Sequence, residues 1–84
     1  MGYFVYILRC ADSSLYTGIT TDPPRRLAEH RGKAGRGARY TASRGPVSFE
    51  RIWSAAGRAQ ASSLERRIKG LKKAQKELLA RDGA

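Results

Sequence analysis

Five side chains of the sequence have the chemical types that hydrolysis of a phosphodiester requires. Hydrolysis needs an activated water, positive charge on the non-bridging oxygens and help for the departing oxygen. A phenol can exchange a proton, a guanidinium fork matches two phosphate oxygens, and one carboxylate can hold a Mg²⁺ that keeps several waters. The residues in question are Tyr6, Tyr16, Arg26, His30 and Glu65.

A hairpin must position the two tyrosines. Residues 3–8 are apolar or aromatic at both odd and even positions, which predicts a strand that is covered on both faces and central in its sheet. Turn-forming residues at 11–14 lead into a second predicted strand at 15–19. Tyr6 and Tyr16 face the same side only if an odd number of residues separates paired positions, and the sequence does not fix that register.

A short helix must position the arginine and the histidine. Asp22 precedes two prolines, which predicts a capped helix start, and the helix should end near Gly32. Arg26 and His30 are four residues apart and therefore share a face, while Leu27 lies on a stripe that can anchor the helix to the sheet.

The remaining elements complete one predicted domain over residues 1–84. A third strand is expected over residues 47–53, and a helix from residue 58 has a stripe of apolar residues that Glu65 borders. A last helix over residues 74–81 should dock through Leu78 and Leu79. These elements predict an α/β (α+β) fold with a small, mainly antiparallel three-stranded sheet flanked by helices.

The charge of the chain predicts a polyanionic partner. Seventeen basic and seven acidic residues give a net charge of +10 on 84 residues, and residues 23–44 hold seven basic groups against one acidic group. Nucleic acid is favoured over a membrane surface, because the last helix has no aromatic anchor. No apolar run is long enough to span a bilayer, and Cys10 stands alone, so we expect a cytoplasmic protein without disulfides.

The order and spacing of the motifs resemble the GIY-YIG nuclease superfamily, most closely its small stand-alone bacterial members. The two hallmark tripeptides read Val5-Tyr6-Ile7 and Tyr16-Thr17-Gly18. The segment from Pro24 to His30 resembles the arginine helix of the family, and Glu65 stands at the place of its metal-binding glutamate.

The resemblance implies a Mg²⁺- or Mn²⁺-dependent DNA endonuclease that is directed by structure or strandedness and could serve repair or recombination. Glu65 would hold the metal and Arg26 would bind the scissile phosphate. One of Tyr6 and Tyr16 would act as general base if the metal and Arg26 lower its pKa from about 10. His30 would share or relay a proton.

Each of these residues also has an ordinary structural interpretation. Glu65 can pair with Lys69 at i,i+4, Arg26 can be one more surface cation, the tyrosines can be core residues, and His30 can be a solvated surface residue. Family members often carry an asparagine after the metal helix, and this chain has none. Another group fills that place, or the site is less active. The rival function is a non-catalytic nucleic-acid-binding module on the same scaffold.

The expected DNA contacts lie in two basic segments. Arg36, Arg39 and Arg44 belong to a glycine-rich stretch that we expect to contact backbone phosphates without sequence preference. Lys72 and Lys73 either extend that footprint or keep the protein soluble.

Neutralising Arg36 and Arg39 together should weaken DNA binding and reduce its salt dependence, by about one unit of slope for each phosphate that is no longer neutralised. Affinity for a labelled duplex measured over a range of salt concentrations tests this. An unchanged slope would exclude these two arginines from the footprint.

Overall fold

Strand β1 is the centre of the sheet. The computed structural model describes residues 2–31 and 47–82. Its elements are β1 (Tyr3–Cys10), β2 (Leu15–Thr20), α1 (Pro23–His30), β3 (Val47–Ala55), α2 (Arg58–Lys69) and α3 (Lys73–Asp82). The strands are antiparallel in the order β2-β1-β3, so the predicted α+β fold and the central first strand are confirmed.

The side chains of β1 alternate between two hydrophobic clusters because successive residues of a strand point to opposite faces. On one face, Val5 and Ile7 pack with Ala61 and Ile68 of α2, and all four are buried. The other face is formed around Tyr6, Leu8 and Cys10, against which Leu27 of α1 and Phe49 of β3 pack. The sheet therefore has α1 on one side and α2 on the other, and Leu27 anchors α1 as predicted.

Helix α3 is rotated differently from the sequence prediction. Leu79 packs against the cluster around Val5 and Ile7 as predicted, but Leu78 is 52% exposed and does not dock the helix, so the prediction is wrong for Leu78. Ala80 is buried instead. The guanidinium of Arg51 donates hydrogen bonds to the carbonyl oxygens of Ala80 (2.9 Å) and Arg81 (2.8 Å). These two bonds tie the end of α3 to β3 and set its rotation.

The pairing of β1 with β2 fixes the relative side of the two tyrosines. Tyr6 pairs with Gly18 and Leu8 pairs with Tyr16, and the last pair, Arg9 with Leu15, encloses residues 10–14. The enclosed number is odd, so Tyr6 and Tyr16 face the same side of the sheet. The register that the sequence left open is therefore the one that brings the tyrosines together.

Helix α1 begins as the sequence predicts. The side chain of Asp22 accepts a hydrogen bond from the backbone N–H of Arg25 at 3.2 Å, and the two prolines occupy the first positions of the helix. Proline has no N–H to leave unpaired in the first turn, so this start satisfies the backbone at little cost. In the part of the chain that the structure describes, none of the helices is long and apolar enough to cross a membrane.

Two isoleucines on neighbouring strands test the location of the core. Ile7 is fully buried, whereas Ile52 is 41% exposed. Ile7→Val should lower the free energy of unfolding by about 0.5–1.5 kcal/mol, because it removes one buried methyl group and leaves a small cavity. Ile52→Val should change it by less than about 0.5 kcal/mol. Urea unfolding of both variants measures the difference, and equal losses would contradict this assignment of the core.

Candidate active site

The hydroxyl of Tyr6 joins β1 to helix α1. Nε of Arg26 donates a hydrogen bond to the phenol oxygen at 3.2 Å, and Nε2 of His30 lies 2.9 Å from the same oxygen. Tyr6 is fully buried. Because Arg26 and His30 are one helical turn apart, one face of α1 supplies both partners, as their spacing predicts.

Gly18 makes room for the ring of Tyr6. A Cβ atom at position 18 would lie 2.6 Å from the ring carbon that carries the hydroxyl, closer than real Cβ contacts come. The tyrosine ring therefore crosses over the backbone of its partner strand at the one residue without a side chain. This close approach positions the hydroxyl beneath α1.

His30 is enclosed by aromatic rings rather than by solvent. Its ring centroid lies 5.0 Å from that of Tyr16 and 5.8 Å from that of Tyr6, both in edge-to-face geometry. Phe49 contacts Tyr6 in the same way at 5.4 Å. His30 is only 1% exposed, so its interpretation as a solvated surface residue is wrong.

Burial controls the protonation of this cluster. It raises the pKa of Tyr6 to about 12, although the hydrogen bond and the charge of Arg26 act in the opposite direction. Burial also lowers the pKa of His30 to about 4, and the positive charge of Arg26 lowers it further. At neutral pH Tyr6 is therefore a phenol and His30 a neutral imidazole. The charge of Arg26 by itself does not give Tyr6 the lowered pKa that was considered from the sequence.

Glu29 is a member of the site that sequence reasoning missed. Nη1 of Arg26 donates to Oε1 of Glu29 at 2.9 Å, and the Glu29 side chain is 16% exposed. Burial lowers the pKa of Arg26, but the hydrogen bonds to Tyr6 and Glu29 outweigh it and raise the pKa overall. The available signal was the i,i+3 spacing of Arg26 and Glu29 on a helix.

Glu65 lies on α2 and is half-buried. Its Oε2 is 3.2 Å from Nζ of Lys69, so the predicted alternative pair is present. The charge of Glu65 also contributes to raising the pKa of Tyr6, as the smallest of its causes. The structure therefore brings Tyr6, Tyr16, Arg26 and His30 into one cluster, while Glu65 lies on α2, whose buried stripe packs on the Val5 and Ile7 side of the sheet.

The donor set fits a hard divalent cation that keeps most of its waters. Glu65 offers carboxylate oxygens with a side chain that is 24% exposed, and its partner Lys69 is mostly exposed and can turn into solvent. Across residues 2–31 and 47–82, no three His, Cys, Asp or Glu side chains are grouped as metal ligands. A single-carboxylate site of the kind that Mg²⁺ accepts is compatible with this arrangement.

The predicted DNA-contacting residues are only partly described. Arg36, Arg39 and Arg44 lie outside the described residues. Lys72 and Lys73 are exposed at the start of α3. Nζ of Lys73 donates to the carbonyl oxygen of Ser13 at 2.7 Å and to Glu77 at 3.1 Å, so it ties α3 to the hairpin turn.

The structure thus has a sheet that carries two tyrosines on one face and a helix above them that supplies an arginine and a histidine. The GIY-YIG catalytic domain family matches residues 2–78, and the chain belongs to this family. Its members form a nuclease superfamily that acts on DNA and generally depends on divalent metals.

Within the family, the chain is similar to UPF0213 proteins. One from Vibrio cholerae is 50% identical over 80 residues, which cover 92% of this chain and 75% of the relative. The solution NMR structure of the UPF0213 protein BH0048 from Bacillus halodurans is 42% identical, with a TM-score of 0.60 over 94% of this chain and 82% of that one. That of EF2693 from E. faecalis is 38% identical, with a TM-score of 0.63 over 94% and 83% of the two chains.

The buried His30 predicts an acid-sensitive fold. Its pKa in the folded state, about 4, is below its value of 6.5 in the unfolded state, so the unfolded chain binds more protons between these values. Stability should therefore fall as the pH drops through this window, by up to about 3 kcal/mol from His30 alone. Urea unfolding between pH 7 and pH 4, with His30→Gln as the reference, measures this contribution. Equal acid sensitivity of the two proteins would contradict it.

Proposed function

We propose that the protein is a metal-dependent endonuclease that hydrolyses phosphodiester bonds of DNA. The observation that carries this proposal is the convergence of Arg26 and His30 on the hydroxyl of Tyr6, with the ring of Tyr16 beside them. Membership in the GIY-YIG family and the net charge of +10 support it. We further propose a cytoplasmic location and substrates chosen by structure or strandedness, as in repair or recombination.

Arg26 is the proposed phosphate-binding group. Its guanidinium is partly exposed and stays charged at all accessible pH values. Its planar fork can donate to two oxygens of the scissile phosphate and stabilise the charge that builds on them. Its contacts with Tyr6 and Glu29 hold it in place before a substrate arrives, so less ordering is needed at the moment of reaction.

The two tyrosines have different proposed tasks because they differ in burial. Arg26 can only donate, so the Tyr6 oxygen accepts its hydrogen bond, and the same oxygen lies 2.9 Å from Nε2 of the neutral His30. Tyr6 is closed to solvent, whereas Tyr16 is half-buried. Tyr16 is therefore the phenol that we expect to meet the attacking water, with the Tyr6–His30 pair behind it.

Glu65 is the residue that would hold Mg²⁺ or Mn²⁺. When bound, such an ion supplies positive charge for the phosphate oxygens and lowers the pKa of a bound water. The half-buried carboxylate is restrained by α2, whose buried stripe packs against the sheet. Its position therefore depends on the core packing of α2.

Two substitutions separate catalysis from binding. Glu65→Gln should lower the cleavage rate by at least about a thousandfold while changing DNA affinity little, because it removes the charge that would hold the metal and that is not proposed to contact DNA. Arg26→Ala should lower cleavage by about a hundredfold to a thousandfold, much more than it lowers affinity. Single-stranded, duplex, flapped and four-way-junction DNA, each with Mg²⁺, Mn²⁺ or EDTA, provide the assay.

Glu50→Gln is the matched control, because it makes the same change at a carboxylate that pairs with Arg9 and not with a residue of the candidate site. Cleavage that survives in both Glu65→Gln and Arg26→Ala would reject this site. Salt-sensitive binding without metal-dependent cleavage by the wild-type protein would favour the non-catalytic binding module.

A further inference from the structure

We propose that Glu29 is a positioning residue that, together with Tyr6, fixes the orientation of the Arg26 guanidinium for turnover at the expense of DNA affinity. This inference rests on the proposed function of Arg26 as the phosphate-binding group. A negative charge beside the proposed phosphate-binding arginine is unfavourable for phosphate binding on electrostatic grounds alone. The positioning role explains why the Glu29 carboxylate lies there.

Two contacts from different elements define the plane of the guanidinium. Tyr6 of β1 accepts from Nε at 3.2 Å, and Glu29 of α1 accepts from Nη1 at 2.9 Å. Because the group is rigid and planar, hydrogen bonds at two of its nitrogens restrict both its tilt and its rotation. The guanidinium has five N–H donors and each contact uses one, so three N–H donors, including both on Nη2, remain for a phosphate.

The surroundings of Glu29 favour a fixed carboxylate rather than a mobile surface one. Its side chain is only 16% exposed, and its second oxygen, Oε2, lies 4.0 Å from Nε of Arg25. Arg25 is largely exposed, so that contact is weak, and the closer partner is Arg26. Glu29 therefore directs its charge mainly to the residue that is proposed to bind phosphate.

The charge and the geometry of Glu29 should act on different kinetic constants. A negative charge beside Arg26 repels a phosphate, which weakens binding of DNA. A hydrogen bond that holds Arg26 in one orientation reduces the reorganisation needed in the transition state, which speeds turnover. Removing Glu29 should therefore lower KM and kcat together, a combination that simple loss of stability does not produce.

Steady-state cleavage of the preferred DNA substrate by Glu29→Ala and Glu29→Gln tests this separation. Glu29→Ala should lower kcat by about tenfold to a hundredfold and lower KM severalfold. Glu29→Gln keeps an oxygen acceptor without the charge, so it should recover most of the kcat while KM stays low. Glu50→Gln, which also removes one negative charge, should change each constant by less than about twofold. Equal loss of kcat in both Glu29 variants, or an unchanged KM, would overturn the proposal.

A second measurement needs no DNA cleavage. The Nε–H of Arg26, identified by its absence from the ¹H–¹⁵N spectrum of Arg26→Lys, should exchange slowly with water in the wild-type protein. Glu29→Ala and Tyr6→Phe should each accelerate that exchange, and Glu29→Gln should do so less. Unchanged exchange in Glu29→Ala would overturn the positioning role. Accelerated exchange in a protein that does not cut DNA would support positioning of Arg26 by Glu29 while rejecting the proposed endonuclease.

Discussion

The buried hydroxyl of Tyr6 constrains much of the structure around it. A buried polar group without a partner costs about 1–3 kcal/mol, so the phenol must be satisfied by protein groups. Both partners, Arg26 and His30, come from a single face of α1, and this requirement fixes how the helix docks. Gly18 completes the constraint by leaving space for the ring. The contacts that pack α1 on this face of the sheet are therefore the same contacts that assemble the candidate site.

The opposite face of β1 has a supporting role. Val5 and Ile7 pack with α2 on one face of the sheet, so the other face, which carries Tyr6, is available for polar groups. Glu65 belongs to the same helix but lies at the border of its buried stripe, close enough to influence the pKa of Tyr6. One strand thus connects an apolar core to a charged cluster through the alternation of its side chains. A substitution that disturbs the packing of Val5 or Ile7 is therefore expected to displace Tyr6 as well, because the three residues are consecutive on β1.

Local patterns were sufficient to predict most elements, because their signals are short-range. The apolar run at residues 3–8 predicted the central strand, and Asp22 with two prolines predicted the start of α1. Three other features depend on long-range contacts: the strand register, the exposure of Leu78, and the pKa of Tyr6, which burial raises more than Arg26 lowers it. Spacing alone does not predict which of two adjacent leucines on a short helix is buried. That depends on the rotation of the helix, to which the hydrogen bonds from Arg51 to backbone carbonyls contribute. Glu29 was visible as a spacing, but only the structure shows that its partner is the arginine at the tyrosine hydroxyl.

The pairing register of the hairpin has an evolutionary consequence. Insertion or deletion of a residue between Arg9 and Leu15 changes the length of the turn, but as long as the pairs of β1 with β2 are kept, Tyr16 stays opposite Leu8 and on the face of Tyr6. A slip of the pairing by one residue would instead turn Tyr16 to the opposite face. Homologous chains can therefore differ in turn length and keep the arrangement, whereas a chain with both tyrosines and a shifted register would have lost it.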